Sequence, residues 1–190
     1  MAVLAAGVGL PAVSDLLIRA LTHSSFAHER PPAGHNETLA FLGDAVLGLA
    51  VTDLLVQALT HPSFAHEHPP AEHNETLAFL GDAVVGLAVA DLLVRQAPGA
   101  GPGTLTVRRA EIVSTEGLAA WARLLGVGAC LRLGRGEDQH GGREKDSVLA
   151  SAFEAVAGVL YLAGGLPAVL RLVERLLTDE VARPEADETP

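Results

Sequence analysis

Three carboxylates stand in apolar, helix-forming segments of this 190-residue chain. Glu75 and Asp82 belong to Asn-Glu-Thr-Leu-Ala-Phe-Leu-Gly-Asp-Ala-Val and are seven residues apart, which is nearly two helical turns, so both lie on one helix face. Glu154 stands in a second such segment, Ala-Ser-Ala-Phe-Glu-Ala-Val. A carboxylate among apolar residues is costly unless it is paired or binds a cation. These residues are therefore candidates for chemistry.

Two carboxylates from two helices favour a Mg²⁺ site if they converge on one point. Mg²⁺ prefers oxygen ligands, keeps several waters and often gains its other contacts from a substrate phosphate. For Asp82 taken alone, a capping or salt-bridged role is the more common one. The predicted site therefore depends on Asp82 and Glu154 being brought together.

The elements that must position these acids are all helical. Apolar residues recur with helical spacing, and no segment alternates with the two-residue period of a strand, which predicts an all-α fold. Asn74 suits an N-cap for the helix that carries Asp82. The predicted helices cover 51–59, 74–94, one or two short helices within 104–125, 148–163 and a last helix to about 177.

One segment occurs twice, because residues 13–50 and 51–88 differ at only seven of 38 positions. Glu37 and Asp44 of the first copy repeat the two acids of the second. Repeat arrays need about three or more units to be stable, so a segmental duplication is the better interpretation.

Composition restricts the class of protein. Apolar residues make up 49% of the chain and aromatic ones only 4%, which predicts a core of Ala, Leu and Val. The single cysteine excludes an internal disulfide and fits a reducing cytoplasm. No signal peptide is recognised, and Asp or His interrupts each apolar run, so we expect no membrane association. The net charge of −10 is unfavourable for a nucleic-acid partner.

The acidic segment resembles the signature of the ribonuclease III family, usually written Asn-Glu-Arg-Leu-Glu-Phe-Leu-Gly-Asp-Ala-Val-Leu. The resemblance covers residues 51–178 once and 13–50 a second time, and a match of several segments is far more specific than one motif. The further segments that resemble the family, in its order and approximate spacing, are Leu105-Thr-Val-Arg-Arg-Ala-Glu-Ile-Val-Ser, Leu131-Arg-Leu-Gly-Arg-Gly-Glu, Gly141-Gly-Arg-Glu and Ser147-Val-Leu-Ala-Ser-Ala-Phe-Glu-Ala.

The resemblance implies an all-helical endonuclease domain that dimerises, binds double-stranded or structured RNA and hydrolyses phosphodiesters with Mg²⁺, or with Mn²⁺ as an alternative. It implies that Asp82 and Glu154 are catalytic and metal-binding, and that Glu75 lies near the dimer and RNA surface. The chain departs from the family at two positions. It has Ala78 where the family usually has Glu, and Ser151 where the family usually has Asp.

These departures leave two functions open. Ala offers no ligand atom and Ser only a neutral hydroxyl, so the charge of the site is halved. The chain is then either an RNA-processing enzyme of reduced activity, acting for example on ribosomal RNA, or an inactive RNA-binding or assembly protein. The retained acids favour the enzyme. Compact family members without a separate RNA-binding domain also lack these acids, and we expect this mini-ribonuclease III-like type. An unrelated helical interaction protein leaves the resemblance unexplained.

RNA or dimer contacts are expected from Arg108, Arg109 and Arg143, although scattered surface arginines are as common on helical proteins. The histidines match no usual zinc spacing, and we expect His61 to fix the turn after its helix. Trp121 is expected to anchor the core together with Phe153.

The chain is predicted to have three parts. Residues 1–50 form a duplicated helix-loop-helix segment, 51–178 the ribonuclease III-type domain, and 179–190 an acidic disordered tail. Only the second copy continues into the rest of the family pattern, so Asp82 is the expected working aspartate. The first copy either docks as an intramolecular mimic of a partner subunit or is a frayed or swapped appendage. A homodimer or an intramolecular pseudo-dimer is expected accordingly.

Overall fold

The computed structural model describes residues 51–181. The chain divides into two compact units, Met1–Ala50 and Val51–Pro190. The predictions for Glu37, Asp44 and the rest of the first copy lie outside the described residues, as does most of the predicted acidic tail.

The described part is helical, which confirms the predicted all-α class. Its one extended pairing is an isolated parallel bridge between Thr60 and Arg132. In chain order, helical residues 51–58 are followed by α1 (Pro62–Glu67), α2 (Glu75–Gln96), α3 (Pro102–Ile112), α4 (Thr115–Leu124), α5 (Val127–Cys130), α6 (Arg135–Gln139), a 3-10 turn (Gly142–Glu144) and α7 (Asp146–Val181).

The core lies where α2 and α4 pack against α7. Trp121 of α4 and Phe153 of α7 are buried, with ring centroids 5.6 Å apart, so the prediction that they anchor the core is confirmed. Valines and alanines of α2 and α7 fill the remaining space. Burying each large apolar side chain stabilises the fold by about 1.5–3 kcal/mol.

The start of α2 corrects one prediction. Asn74 is the N-cap residue, but its side chain makes no capping hydrogen bond, and its buried Oδ1 has no partner within the described part of the chain. Its φ of −79° and ψ of −13° are helical, whereas a capping side chain usually needs an extended backbone at this position. The prediction of a side-chain cap was therefore wrong.

Two other local predictions can be compared with the structure. No helix was predicted between 125 and 148, yet Arg135–Gln139 form the short helix α6. The expected break between the last two helices is confirmed at Gly165, whose φ of 65° and ψ of −173° are not helical, so α7 consists of two helices that meet at a kink. Gly tolerates this left-handed φ, so the helical axis resumes through Pro167.

Both long helices, α2 and α7, are long and apolar enough in composition to cross a membrane. Charged residues interrupt both helices as expected, since α2 contains Asp82 and Asp91 and α7 contains Glu154. The two helices pack against each other, and about half of the most apolar stretch of α2 (50%) is buried inside the protein. A helix in the core of a protein is apolar because it is shielded from water, as a membrane-spanning helix is. The apolar composition of α2 and α7 is therefore weak support for a membrane span.

Candidate active site between the two long helices

The structure brings Asp82 of α2 and Glu154 of α7 together. Asp82 is exposed and Glu154 is half-buried. The pKa of the Glu154 carboxyl is raised to about 7, mainly because burial disfavours its charged form and further because of the negative charge of Asp82. The acid pair, as we call Asp82 and Glu154, is thus a pair of like charges without a compensating cation from a side chain.

Close contact of the two helix backbones places the acid pair. A Cβ at Gly81 would lie 1.7 Å from the backbone oxygen of Glu154, so only glycine allows this approach. Asp82 directly follows that glycine. The crossing therefore carries one acid from each helix beside the point of closest contact.

Neither departure from the family signature adds a ligand here. Ala78 is 6% exposed and packs in a small apolar cluster with Ala58 and Ala155. Ser151 is half-buried on α7, one turn before Glu154. Within residues 51–178, no group of three or more His, Cys, Asp or Glu side chains is placed to hold a metal ion.

The acid pair nevertheless fits Mg²⁺. This cation is often bound by one or two carboxylates while keeping several waters, and it gains further ligands from substrate phosphate. A dication beside Asp82 and Glu154 would also offset the like-charge repulsion and the partial desolvation that raise the pKa of Glu154.

Glu75 occupies a different position from the acid pair. It is exposed in the first turn of α2, and its Oε2 lies 3.6 Å from Nδ1 of His73. It does not contribute to the raised pKa of Glu154, whose charged neighbour is Asp82. Its predicted role near the RNA or dimer surface stays a prediction.

The three candidate arginines differ in their surroundings. Arg108 and Arg109 are exposed on α3 and form no ion pair within the described part of the chain. Arg143 is half-buried: Nη1 donates to the carbonyls of Gly128 and Leu131 at 3.0 and 2.8 Å, and Nε donates to Asp138. Its guanidinium therefore holds the loop before α6, whereas those on α3 face solvent. The predicted contacts of these arginines with RNA or with a partner subunit stay predictions.

His61 is the N-cap of α1, where Nδ1 accepts a hydrogen bond from the amide of Ser63 at 3.2 Å. This confirms that it fixes the turn after the first helical segment. Burial lowers its pKa, which favours the neutral ring that the cap requires.

One feature of α2 was missed at the sequence level. Phe79, Leu87 and Val94 are 83%, 55% and 60% exposed, and their spacing places them on one side of the helix, which we call the outer face. The signal was present, since α2 is apolar all round and such a helix is normally buried on every side.

Comparison with known proteins identifies the class. A ribonuclease-III-like family model matches residues 51–181 and, a second time, residues 14–57. The chain belongs to the ribonuclease III family.

Relatives and solved structures agree with this assignment. The chain is 47% identical over 176 residues to ribonuclease 3 of Thermobifida fusca and 52% identical over 176 residues to that of Leifsonia xyli, covering 93% and 90% of this chain. It spans 58% of the length of each relative. The prediction of the compact, mini-ribonuclease III-like type is not tested by these relatives and stays a prediction.

The nuclease domain of ribonuclease III from Campylobacter jejuni has the same fold. Two of its crystal structures superpose with TM-scores of 0.62 each, at 32% and 31% identity. They cover 70% and 73% of this chain and 94% and 96% of that domain. One of them concerns structural flexibility in a region involved in dimer formation of that domain.

Proposed function

We propose that this chain is a Mg²⁺-dependent endoribonuclease that cleaves double-stranded or structured RNA, with the acid pair as its cation ligands and Mn²⁺ as an alternative cation. The observation that carries the proposal is the convergence of Asp82 and Glu154 at the crossing of α2 and α7, where burial, and secondly the charge of Asp82, raises the pKa of Glu154 to about 7. Groups with strongly shifted pKa values cluster at functional sites. Membership of a family whose relatives are named ribonuclease 3 supports the choice of RNA as substrate.

The two acids have different tasks. A bound Mg²⁺ supplies electrostatic stabilisation of the charge that develops on the phosphate during hydrolysis. Asp82 is the exposed member and would hold the cation where an RNA strand can reach it from solvent. Because the pKa of Glu154 is about 7, its carboxyl group is protonated below that pH. The charged form, which is the one that would bind a cation, is therefore populated at neutral pH and above. We propose that the chain acts in the cytoplasm and processes ribosomal RNA.

A second candidate function is an inactive RNA-binding or assembly protein. The specific observation in its favour is that Ala78 and Ser151 leave no third acid near the pair, and no group of three candidate ligands exists within residues 51–178. We expect the missing acids to reduce the activity of an enzyme, because fewer ligands hold the cation less tightly. We favour the enzyme because both acids of the pair are retained at the crossing, although burial makes the charge of Glu154 costly.

We propose in addition that two copies associate through the outer face of α2. Phe79 is 83% exposed there, and large exposed apolar residues in a row mark an interaction surface. The involvement of a nuclease-domain region in dimer formation in the Campylobacter protein supports a dimer. The alternative is a pseudo-dimer in which the first copy replaces the partner, since Phe41 and Leu49 repeat Phe79 and Leu87.

Deletion of residues 1–50 distinguishes the two arrangements by light scattering. A homodimer predicts twice the chain mass both for the full chain and for residues 51–190. A pseudo-dimer predicts a full chain of single mass and a deleted chain that newly dimerises. A single mass for both chains would contradict the proposal of an interaction through the outer face.

The function itself is tested by incubating the full chain with long double-stranded RNA in Mg²⁺ or in EDTA. We expect cutting only with Mg²⁺, and its loss in Asp82→Asn. Asp44→Asn is the matched control, because Asp44 is the equivalent residue of the first copy. Retention of RNA on a gel without cutting would support the binding protein instead. Cutting that survives in both EDTA and Asp82→Asn would overturn the proposed site.

A further inference from the structure

The crossing of α2 and α7 contains two reciprocal contacts between a glycine and a backbone carbonyl. A Cβ at Gly81 would lie 1.7 Å from the oxygen of Glu154, and a Cβ at Gly158 would lie 2.4 Å from the oxygen of Leu77. Real Cβ atoms essentially never come within 3.0 Å of such an atom. Alanine at either glycine therefore requires the helices to move apart.

The two contacts fix position along the helices as well as distance between them. Leu77 and Gly81 are one turn apart on α2, and Glu154 and Gly158 are one turn apart on α7. Each helix thus contributes one glycine and one carbonyl. The carbonyl precedes the glycine on both helices, so the two helices run in opposite directions at the crossing. The four-residue spacing on each helix corresponds to a rise of about 6 Å, and sliding one helix by a single residue, about 1.5 Å, would displace both contacts together.

The residues that make these contacts also carry the acid pair. Glu154 provides one of the two carbonyls through its own backbone, and Asp82 directly follows Gly81. No side chain intervenes between the contact and the carboxylates. Any change in the separation of the two backbones is therefore transmitted directly to the separation of the two acids.

We propose that Gly81 and Gly158 are positioning residues, whose contacts with the carbonyls of Glu154 and Leu77 set the separation at which Asp82 and Glu154 share one cation. This inference rests on the proposed function and names the residues that give its site its geometry. A close approach is not a general requirement for a glycine in α2. Gly86 lies five residues further along and has nothing within 4 Å of its Cβ position.

Gly86→Ala is therefore the matched control for Gly158→Ala. Binding of Mn²⁺ to the purified full chain without RNA is measured by electron paramagnetic resonance, well below the melting temperature of each variant. We expect Gly158→Ala to raise the Kd for Mn²⁺ about tenfold or more, since ligand geometry decides cation affinity. Gly86→Ala should bind Mn²⁺ like the parent. Unchanged binding by folded Gly158→Ala would overturn the inference.

A rescue variant separates positioning from a merely structural role. Asp82→Glu adds one methylene, about 1.5 Å of reach, and in the Gly158→Ala background this length should recover most of the lost Mn²⁺ affinity. In the parent, where the separation is fixed, the same substitution should weaken binding about tenfold. A structural role predicts a lower melting temperature without rescue, and that result would overturn the inference.

The remaining outcomes are also decisive. If Gly158→Ala does not fold, Asp82→Glu in the parent is the deciding variant, because a fixed separation of the two backbones does not accommodate the longer side chain. Unchanged Mn²⁺ binding by this variant would then refute the fixed separation. A parent chain that binds no Mn²⁺ overturns the proposed metal site, and this inference with it. If the parent binds Mn²⁺ and neither Gly158→Ala nor Asp82→Glu changes the Kd for Mn²⁺, only the inference is overturned.

Discussion

The two sides of α2 are both apolar, yet only one of them packs against another helix. The side toward α7 contains Ala78, Gly81 and Ala88, all buried, and there the two backbones meet directly. The outer face contains Phe79 and Leu87, which are 83% and 55% exposed. Hydropathy does not separate the two sides. Large residues occur on both sides as well, since Leu77, Leu92 and Leu93 are buried. What distinguishes the inner side is Gly81 at the crossing, because only a residue without a side chain allows the two backbones to meet, whereas the large residues of the outer face have area to bury against another surface.

The difference assigns a separate task to each side. The inner side determines where Asp82 stands relative to Glu154, and so belongs to the proposed chemistry. The outer face contributes nothing to the described core and belongs to the proposed association. Changes on one side should therefore leave the property of the other unaltered, and the following predictions use this separation.

The largest expected effect is on cleavage. Glu154→Gln removes the charge of one acid while preserving side-chain volume, and cleavage of double-stranded RNA should fall on the order of 100-fold or more. Glu174→Gln is the control, since Glu174 is exposed on the same helix. The mass of the assembly in light scattering should not change. Equal cleavage rates for the two variants would separate Glu154 from the chemistry.

The next effect concerns association. Leu87→Asp places a charge in the middle of the outer face, which should weaken dimerisation by about 3 kcal/mol, or roughly 100-fold in Kd, as for a central interface residue. Sedimentation at a series of concentrations measures it. Val107→Asp on α3 is the control, with a comparable loss of exposed apolar surface, because Val107 is 60% exposed. If both variants assemble like the parent, the outer face is not the interface.

A gain of affinity is expected from restoring one acid. Ser151→Asp adds a carboxylate one turn from Glu154 at a half-buried position, and Mg²⁺ should bind about tenfold more tightly, a gain of roughly 1.4 kcal/mol. Ser147→Asp adds the same charge at an exposed site one turn earlier. Titration calorimetry compares the two variants. Equal gains would indicate a general charge effect and not a ligand.

The smallest effect is a pH-dependent change in stability. The pKa of Glu154 is raised from 4.5 to about 7 in the folded protein, so between these values the folded chain holds a proton that the unfolded chain releases. Parent stability should therefore fall as pH rises through this window. At pH 8, Glu154→Gln should be the more stable by about 1 kcal/mol after allowance for solvent screening, or roughly 2–4 °C in Tm.

Melting curves at pH 5 and pH 8 test this prediction. At pH 5 the folded parent already carries the proton, and the two chains should melt at similar temperatures. A stability difference that is the same at both pH values would show that Gln acts through packing and not through the charge of Glu154.

Several features of the fold and site could be predicted from local sequence. Helical periodicity indicated the helix that carries Asp82, and Trp121 and Phe153 were recognised as core residues by their apolar neighbours. Asn74 was predicted wrongly as a side-chain cap, because capping depends on the backbone angles of a single residue, which the residue type does not determine. The break at Gly165 was predicted correctly, because a Gly-Gly pair followed by Leu-Pro is a local signal for the end of a helix.

The sequence by itself determined the family, the all-helical class and which acids are present or replaced, because residue types and their spacing are local properties. Only the tertiary structure decided that Asp82 and Glu154 meet, that Arg143 holds a loop, and that Phe79 faces outward. These results depend on contacts between residues far apart in the chain. The raised pKa of Glu154 is such a result, because desolvation and a neighbouring charge exist only after α2 and α7 have packed.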